Sequence, residues 1–528
     1  MQYPVESFTE AEIARLEPHF TNLDQPVFAL VNLPETVKGA LFARYSRYDG
    51  TLRRLFLDEF ADSLPAGGDW ETDEGTRAAE LYDRIFLGYG DDSVAQLGGA
   101  HIACEWVSNV LTKVLQRPRM ASYLEQSTRY IRYDGSVEGL GYRYYRDARL
   151  GPQYEQTMDG LFSRYSDAIP QVAAWAAGQF PAADGVSPAA HDRAIEAKSL
   201  DLLRGMLPAA ALSHMGIFAS GQTYEQLILH LLAHPLPEAQ DYGRMLLETL
   251  KQVIPSFVSR VERPDRGGEW IGYLEQRGAA GREWTNRLGI GDEQETDAGP
   301  SVKLLHVDGS EDDLLCSLVF EQAGQSETAI RAAVAKLSGE ERAQMLADFV
   351  GNRANRRHRP GRGFEAVRYR FEIVADYGAF RDLQRHRMLT VQWQTLGPDL
   401  GAGVPEELEQ AGVADSYREG LETSAAEYRR LASEGFADSA PYALCLGYRI
   451  RFVLDCNARE AMQLIELRSG REGHPSYRAV AHEMQRAIAQ HHPAVAASMV
   501  HVDNQAEPRL ERILSEMRTE ARSASQAG

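Results

Sequence analysis

Hydrophobic positions along the chain recur with two periods. Ile102, Cys104 and Trp106 alternate with Ala103 and Glu105, and period-two alternation predicts a strand. A short helix through Leu111 and Leu115 follows. Far downstream the order repeats: Val367, Tyr369, Phe371 and Ile373 alternate with Arg368, Arg370 and Glu372, and a helix through Phe380 comes next. The apolar runs VFALV at 27–31 and VKLLHV at 302–307 are strand candidates, the first leading into a helix that opens near Glu35. Helical patterns start at Ala78, cover 193–207, 224–232 and 239–253, and form two segments ending at Phe349. Between the first of these and Ile102, Gly88, Tyr89 and Gly90 run into Asp91, Asp92 and Ser93, the composition of a tight loop. Near the end Asn457 is placed to cap a helix. Its buried stripe is Ala461, Met462, Leu464, Ile465 and Leu467, with Arg459, Glu460, Gln463 and Arg468 on the more polar faces.

Both strand–helix units deliver the same kind of segment. The first leads to RPRMASYLEQSTRY at 117–130 and the second to RHRMLTVQWQTL at 385–396, each opening on two arginines one residue apart. Paired guanidinium groups suit a phosphate or a carboxylate. Recurrence of strand, helix and arginine pair in one order predicts an internal duplication. The expected division is a first domain at 1–264, a connector at 265–300 and a second domain at 301–528. The connector holds eight glycines together with Trp270, Tyr273 and Trp284, and large aromatics predict that it packs on a surface. An arginine-rich loop, NRANRRHRPGRGFE, carries Arg353, Arg356, Arg357, Arg359 and Arg362. By itself such a run reads as a solvated face, just as Arg468 reads as a surface arginine near a helix C-terminus.

Charge narrows the partners. Seventy-six acidic against 56 basic residues among 528 give a formal charge of −20, so a nucleic-acid polymer is disfavoured. A small phosphorylated ligand on a local arginine cluster is compatible with it. The 44% hydrophobic and 25% charged content is that of a globular chain. With no apolar run of about 18 residues and no leader-like start, a cytoplasmic location is expected. Cys104, Cys316, Cys445 and Cys456 lack metal-ligand spacing; they are expected to fill apolar volume, and no metal site is expected.

The 117–130 stretch resembles the RHRxxSxNEQSxRY signature of the flavin-dependent thymidylate synthases. Arg117, Arg119, Ser122, Glu125, Gln126, Ser127, Arg129 and Tyr130 match, and Pro118 and Leu124 depart. The loop with Ser93 is similar to the family's GHxS segment without its histidine, and Arg204, Leu207 and Pro208 resemble its RxxLP. In the second half Arg385, His386 and Arg387 match RHR, Asn457, Ala458 and Arg459 match NAR, and Glu466, Leu467 and Arg468 match the end of that helix. The resemblance implies two tandem α+β domains, each a small antiparallel sheet with a bundle of long helices. It implies methylation of dUMP to dTMP with methylenetetrahydrofolate, FAD as hydride carrier and NADPH as reductant. By the same resemblance Glu125, Gln126, Ser127, Thr128, Arg129, Arg204 and Arg385 bind dUMP. Ser93, Arg385, His386, Arg387, Asn457, Ala458, Arg459 and Gln463 bind FAD, and Arg468 is catalytic, polarising the uracil.

Neither half is complete. The first has Ser220, Gly221 and Gln222 at the NAR positions and Leu231 at the position of Arg468. The second has Trp393, Thr395 and Gly397 in place of Glu125, Ser127 and Arg129, and Pro441 in place of Arg204. The losses are complementary, which predicts one composite site between the halves and a homodimer that rebuilds a four-domain assembly. The alternatives are a lapsed flavin- or nucleotide-binding paralogue and another flavin-dependent reaction on a nucleotide.

Overall fold

The computed structural model describes residues 6–45, 48–63, 96–290, 299–505 and 509–527. The helix starting at Ala78, the loop at 88–93 and with it Ser93 lie outside these residues. The fold is α+β, and the chain forms two compact units.

The first unit comprises Met1–Val107, Val114–Glu125 and His214–Asp292. Its sheet has the order β1-β3-β2, with β1 Gly99–Ser108, β2 Ala121–Glu125 and β3 Leu212–Ser220. β2 runs antiparallel to β3, Ala121 opposite Ala219 and Glu125 opposite Met215. This strand is not legible as a period, because its two buried positions are Ala121 and Glu125 while Leu124 faces outward. β3 ends at Ser220, whose hydroxyl accepts from the Thr223 amide and caps the helix Gly221–Leu232. Tyr224, Leu227, Ile228 and Leu231 form the buried stripe of that helix. The helix Pro237–Leu250 packs so closely on it that a Cβ at Gly243 would stand 3.1 Å from the Leu231 Cβ.

One strand expectation fails in this unit, and the glycine-rich connector is largely helical and lies against the helix Gly221–Leu232. Residues 27–31 form no strand, only the isolated bridge Phe20–Leu30. Much of the glycine-rich stretch at 265–300 is the helix Glu269–Arg287, with no buried residue, and Trp270, Tyr273 and Trp284 remain 42–57% exposed. Single glycines among Glu, Ala, Leu and Arg cost about 1 kcal/mol each relative to Ala without breaking a helix.

The second unit comprises Ser108–Lys113, Gln126–Ser213 and Glu293–Gly528. Its antiparallel sheet has the order β4-β5-β7-β6, from β4 Ser301–Asp308, β5 Arg368–Asp376, β6 Leu389–Trp393 and β7 Arg449–Asn457. Tyr369, Phe371 and Ile373 of β5 are fully buried, as their alternation requires. The helix expected over 193–207 spans Pro188–Leu203 and tightens into the 3-10 turn Arg204–Met206. The turn is pinned by a ladder of backbone bonds. Gly447 N–H donates to Gly205 O at 2.9 Å, Leu446 N–H to Leu207 O at 2.8 Å, and Ala209 N–H to Leu444 O at 2.7 Å. Gly205 is required there, since a Cβ would collide with the Tyr417 hydroxyl. The two helical segments expected up to Phe349 are three, Glu311–Ala323, Glu327–Val334 and Gly339–Val350, each capped by a serine: Ser310, Ser326 and Ser338. All four cysteines are buried and free, and burial pushes the Cys104 and Cys445 thiols up to about 12. No described helix is long and apolar enough to cross a membrane.

Candidate functional site

The second unit gathers residues of both arginine segments. Arg129 follows the turn after β2, and its Nε–H and Nη2–H donate to the two oxygens of Asp201 at 2.5 Å each. Asp201 stands on the helix Pro188–Leu203, one turn before Arg204. Arg129 also donates from Nη1 to the Tyr477 hydroxyl at 3.1 Å and from Nη2 to Glu472 O at 3.2 Å. Burial opposes its charge, but Asp201 more than offsets this and raises the guanidinium pKa above its usual value.

Arg468 comes from the other segment of chain. It ends the helix Ala458–Arg468, where a cation suits the helix dipole. Its guanidinium lies over the Tyr477 ring, 5.6 Å from the centroid. Its Nε–H donates to His386 Nε2 at 3.1 Å, and His386 Nδ1 stands 2.9 Å from Glu460 Oε1. Because Nε2 accepts, the proton of the imidazole belongs on Nδ1 facing Glu460. Burial lowers the His386 pKa further than Glu460 raises it, and Arg468 adds to the lowering. Glu460, expected on a polar face, is therefore buried as the partner of His386.

Asp382, on the helix Tyr377–Leu383, ties the arginines together. It is 3.4 Å from Arg204, 3.8 Å from Arg385 and 4.0 Å from Arg468. Burial would raise its carboxyl pKa, but Arg385, Arg204, Arg468 and Arg129 together hold it well below the usual carboxylate range. Arg204 is buried, stands 3.9 Å from Asp376, and its Nη2 has no hydrogen-bond partner.

Beside Arg129, Tyr477 and Arg468 opens a pocket of about 760 Å³, within the size range of small-molecule sites. Arg356 and Arg357 of the arginine-rich loop reach it, as do Arg471, Arg518 and His501. The loop is anchored by Arg353, which is buried against both oxygens of Glu466 at 2.7 and 2.5 Å and donates to Ser498 O at 3.1 Å. Arg471 Nε and His501 Nε2 are buried without a hydrogen-bond partner. In a chain of net charge −20, such a lining selects an anion.

The other sequence-predicted residues are placed as follows. Gln126 accepts from Arg143 at 2.8 Å, the Ser127 hydroxyl accepts from the Arg129 amide at 3.2 Å, and Thr128 stands 3.5 Å from Arg381. Glu125 belongs to the first unit, where it accepts from Gln116 at 2.8 Å. Asn457 is a helix cap, accepting from the Glu460 amide at 2.9 Å. Ala458 is fully buried, and Arg459 donates to Pro360 O at 2.9 Å and lies 3.3 Å from Glu365. Arg385 is exposed, and Arg387 and Gln463 are half-buried. His386, Asn457 and Arg459 thus each have a partner within this chain, Asn457 and Arg459 remaining half-buried, and Ala458 is packed in its core. Arg385, Arg387 and Gln463 keep exposed surface, which leaves them open to a ligand.

Sequence reasoning missed Asp201, Asp382 and Tyr477. Asp201 and Arg204 share a helix face at i,i+3, and Asp382 and Arg385 have the same spacing, a usable signal. Tyr477 gives none, being 348 residues from Arg129.

A family profile described as "Thymidylate synthase complementing protein" matches residues 53–256 and 310–494. Among curated proteins, the chain is similar to the UPF0159 protein of Chlamydia muridarum, at 38% identity over 97% of this chain and 99% of that one. A UPF0159 protein of Chlamydia pneumoniae is 38% identical over 98% of each chain, and UPF0159 protein Ta1429 of Thermoplasma acidophilum is 30% identical over 91% of this chain and 98% of that one. Among solved structures, the UMP/dUMP methylase PolB from Streptomyces cacaoi, bound with 5-Br dUMP, is 21% identical. That match covers 39% of this chain and 97% of PolB at a TM-score of 0.32. With one profile match in each half, the chain belongs to the flavin-dependent thymidylate synthase (thymidylate synthase complementing protein) family.

Proposed function

We propose that the chain is a flavin-dependent thymidylate synthase-like enzyme that methylates dUMP to dTMP at one site built from both repeats. The observation that carries this reading is the meeting of Arg129 and Arg468 on a single tyrosine, Tyr477, at the wall of one cationic pocket. Arg129, held by Asp201, fixes the floor of the pocket, and the arginines around it hold the nucleotide phosphate. His386 takes the Nε–H of Arg468 and thereby aims its Nη groups at the uracil. A fixed cation there stabilises negative charge as it develops on the uracil ring, and methylenetetrahydrofolate would supply the one-carbon unit. FAD at Arg385, Arg387 and Gln463, itself reduced by NADPH, would supply the hydride that completes the methyl group. Two chains associate as a homodimer and so present four repeats.

The test is rescue of a thymidine-requiring strain, together with dTMP formation by the purified protein. Rescue lost on Arg468→Ala and on Arg129→Ala alike, with both purified variants still folded in a thermal melt, supports the composite enzyme. A purified protein that takes up no flavin on incubation with FAD, yet still binds dUMP, makes it a nucleotide-binding protein. The commitment of His386, Asn457 and Arg459 within the fold favours that second reading.

A further inference from the structure

The pocket holds more positive charge than a nucleoside monophosphate needs. Arg129 is neutralised by Asp201, and Glu466 by Arg353. What remains is Arg356, Arg357, Arg468, Arg471 and Arg518, opposed in the lining by Glu472. Arg518 stands 3.9 Å from Glu472, and Arg468 shares Asp382 with two other arginines. Arg356 and Arg357 have no side-chain ion pair or hydrogen bond among the described residues, and both are exposed. A phosphate monoester carries about 1.5 to 2 negative charges near neutral pH, fewer than Arg356, Arg357, Arg471 and Arg518 supply even with Glu472 set against them. The loop is also built to be held still, because Arg353 locks its base to Glu466 and Asn355 Oδ1 accepts from the Arg357 amide at 2.9 Å.

We infer that the pocket takes a nucleotide with a pyrophosphate-bearing chain, a nucleoside di- or triphosphate, and that Arg356 and Arg357 hold its outer phosphates. The inference rests on the composite site above and names the phosphate chain that the site accepts. Guanidinium groups on a pre-anchored loop add charge-assisted hydrogen bonds to each added phosphate.

The test is isothermal titration calorimetry of the full chain with dUMP, dUDP, dUTP and inorganic pyrophosphate at one fixed ionic strength. The expected result is dUDP and dUTP binding at least about tenfold tighter than dUMP, with pyrophosphate alone weaker than dUDP. In the double variant Arg356→Ala/Arg357→Ala, the ratio of dUMP to dUDP dissociation constants should fall to about one. Equal affinities in the unaltered protein, a ratio that survives in the variant, or pyrophosphate binding as tightly as dUDP would each overturn the inference. Absence of binding by every uracil nucleotide would overturn the composite site itself, whereas dUMP binding without a di- or triphosphate advantage overturns only the inference. Both substituted residues are exposed loop positions, and a thermal melt of the variant checks that the fold is intact.

Discussion

Two strand–helix junctions of this chain look alike and do different things. In the first unit β3 ends at Ser220, which caps the helix Gly221–Leu232; in the second β7 ends at Asn457, which caps the helix Ala458–Arg468. Both caps satisfy the amide three residues on, and both helices bury an apolar stripe. At corresponding positions near their ends the first places Leu231, fully buried, and the second Arg468, which faces the pocket. The scaffold has been kept in both repeats because caps and stripes are what make a helix pack. The charge has been kept in one, because a buried cation is tolerable only where a structure supplies partners. His386 and Asp382 supply them for Arg468.

The most severe way to break this contrast is Leu231→Arg. A guanidinium at this fully buried position, against the close-packed Gly243, should cost several kcal/mol. Circular dichroism and limited proteolysis should show the first unit unfolded; a stable, soluble variant would mean that the first repeat lost its arginine for some reason other than burial. Next, Arg129→Met strands Asp201 without its partner. It should lower stability by about 3–5 kcal/mol in urea unfolding, whereas Arg129→Met/Asp201→Leu should recover much of the loss. Failure of the double substitution to recover would show that the pair is held by more than its own electrostatics.

For the proposed methyl transfer, Arg468→Ala should lower kcat/KM about a hundredfold, the usual cost of losing a charge-stabilising donor, with a smaller change in stability than Arg129→Met. An unchanged rate would remove Arg468 from the chemistry. Titration sharpens the comparison further, because Pro118 stands in the first repeat where the buried His386 stands in the second. Burial lowers the folded-state pKa of His386, and of His474, below the usual 6.5. As pH falls, the unfolded chain therefore takes up these protons first. Their contribution is complete above about pH 6.5 and is lost progressively as pH falls below it, so the urea midpoint should fall with it. The slope should decrease in His386→Gln, and a midpoint that does not move in the unaltered protein would contradict the burial of both rings as neutral groups. The smallest effect is that of the caps: Ser220→Ala and Asn457→Ala should each cost about 0.5–2 kcal/mol. A much larger loss of flavin binding than of stability in Asn457→Ala would show that its side chain does more than cap.

Legibility followed the physics of each segment. β5 was read because Tyr369, Phe371 and Ile373 face one core while Arg368, Arg370 and Glu372 do not. β2 was not, because its outward face carries Leu124 and its inward face Glu125. The glycines at 272, 278 and 281 disguised a helix, since composition counts them as breakers and a helix tolerates them singly. Arg129, Arg204 and Arg468 could be picked out as candidates from short local motifs. Their counter-ions could not, because Asp201 and Asp382 look like ordinary polar positions until the helices carrying them are packed.

By itself, then, the sequence determined the family, the duplication and the complementary arginines, since these depend on residue types at fixed local spacing. Only the tertiary structure decided which charges are paired. Ion pairs between residues 72 and 113 positions apart, Arg129 with Asp201 and Arg353 with Glu466, depend on chain packing and leave no periodic trace. The same packing sets the buried His386 against Arg468 and makes Asn457 a helix cap. It also brought the arginine-rich loop, which reads as a solvated face, to the wall of the pocket. A low-dielectric interior makes each such pairing a matter of several kcal/mol, and it is set by geometry that no local pattern encodes.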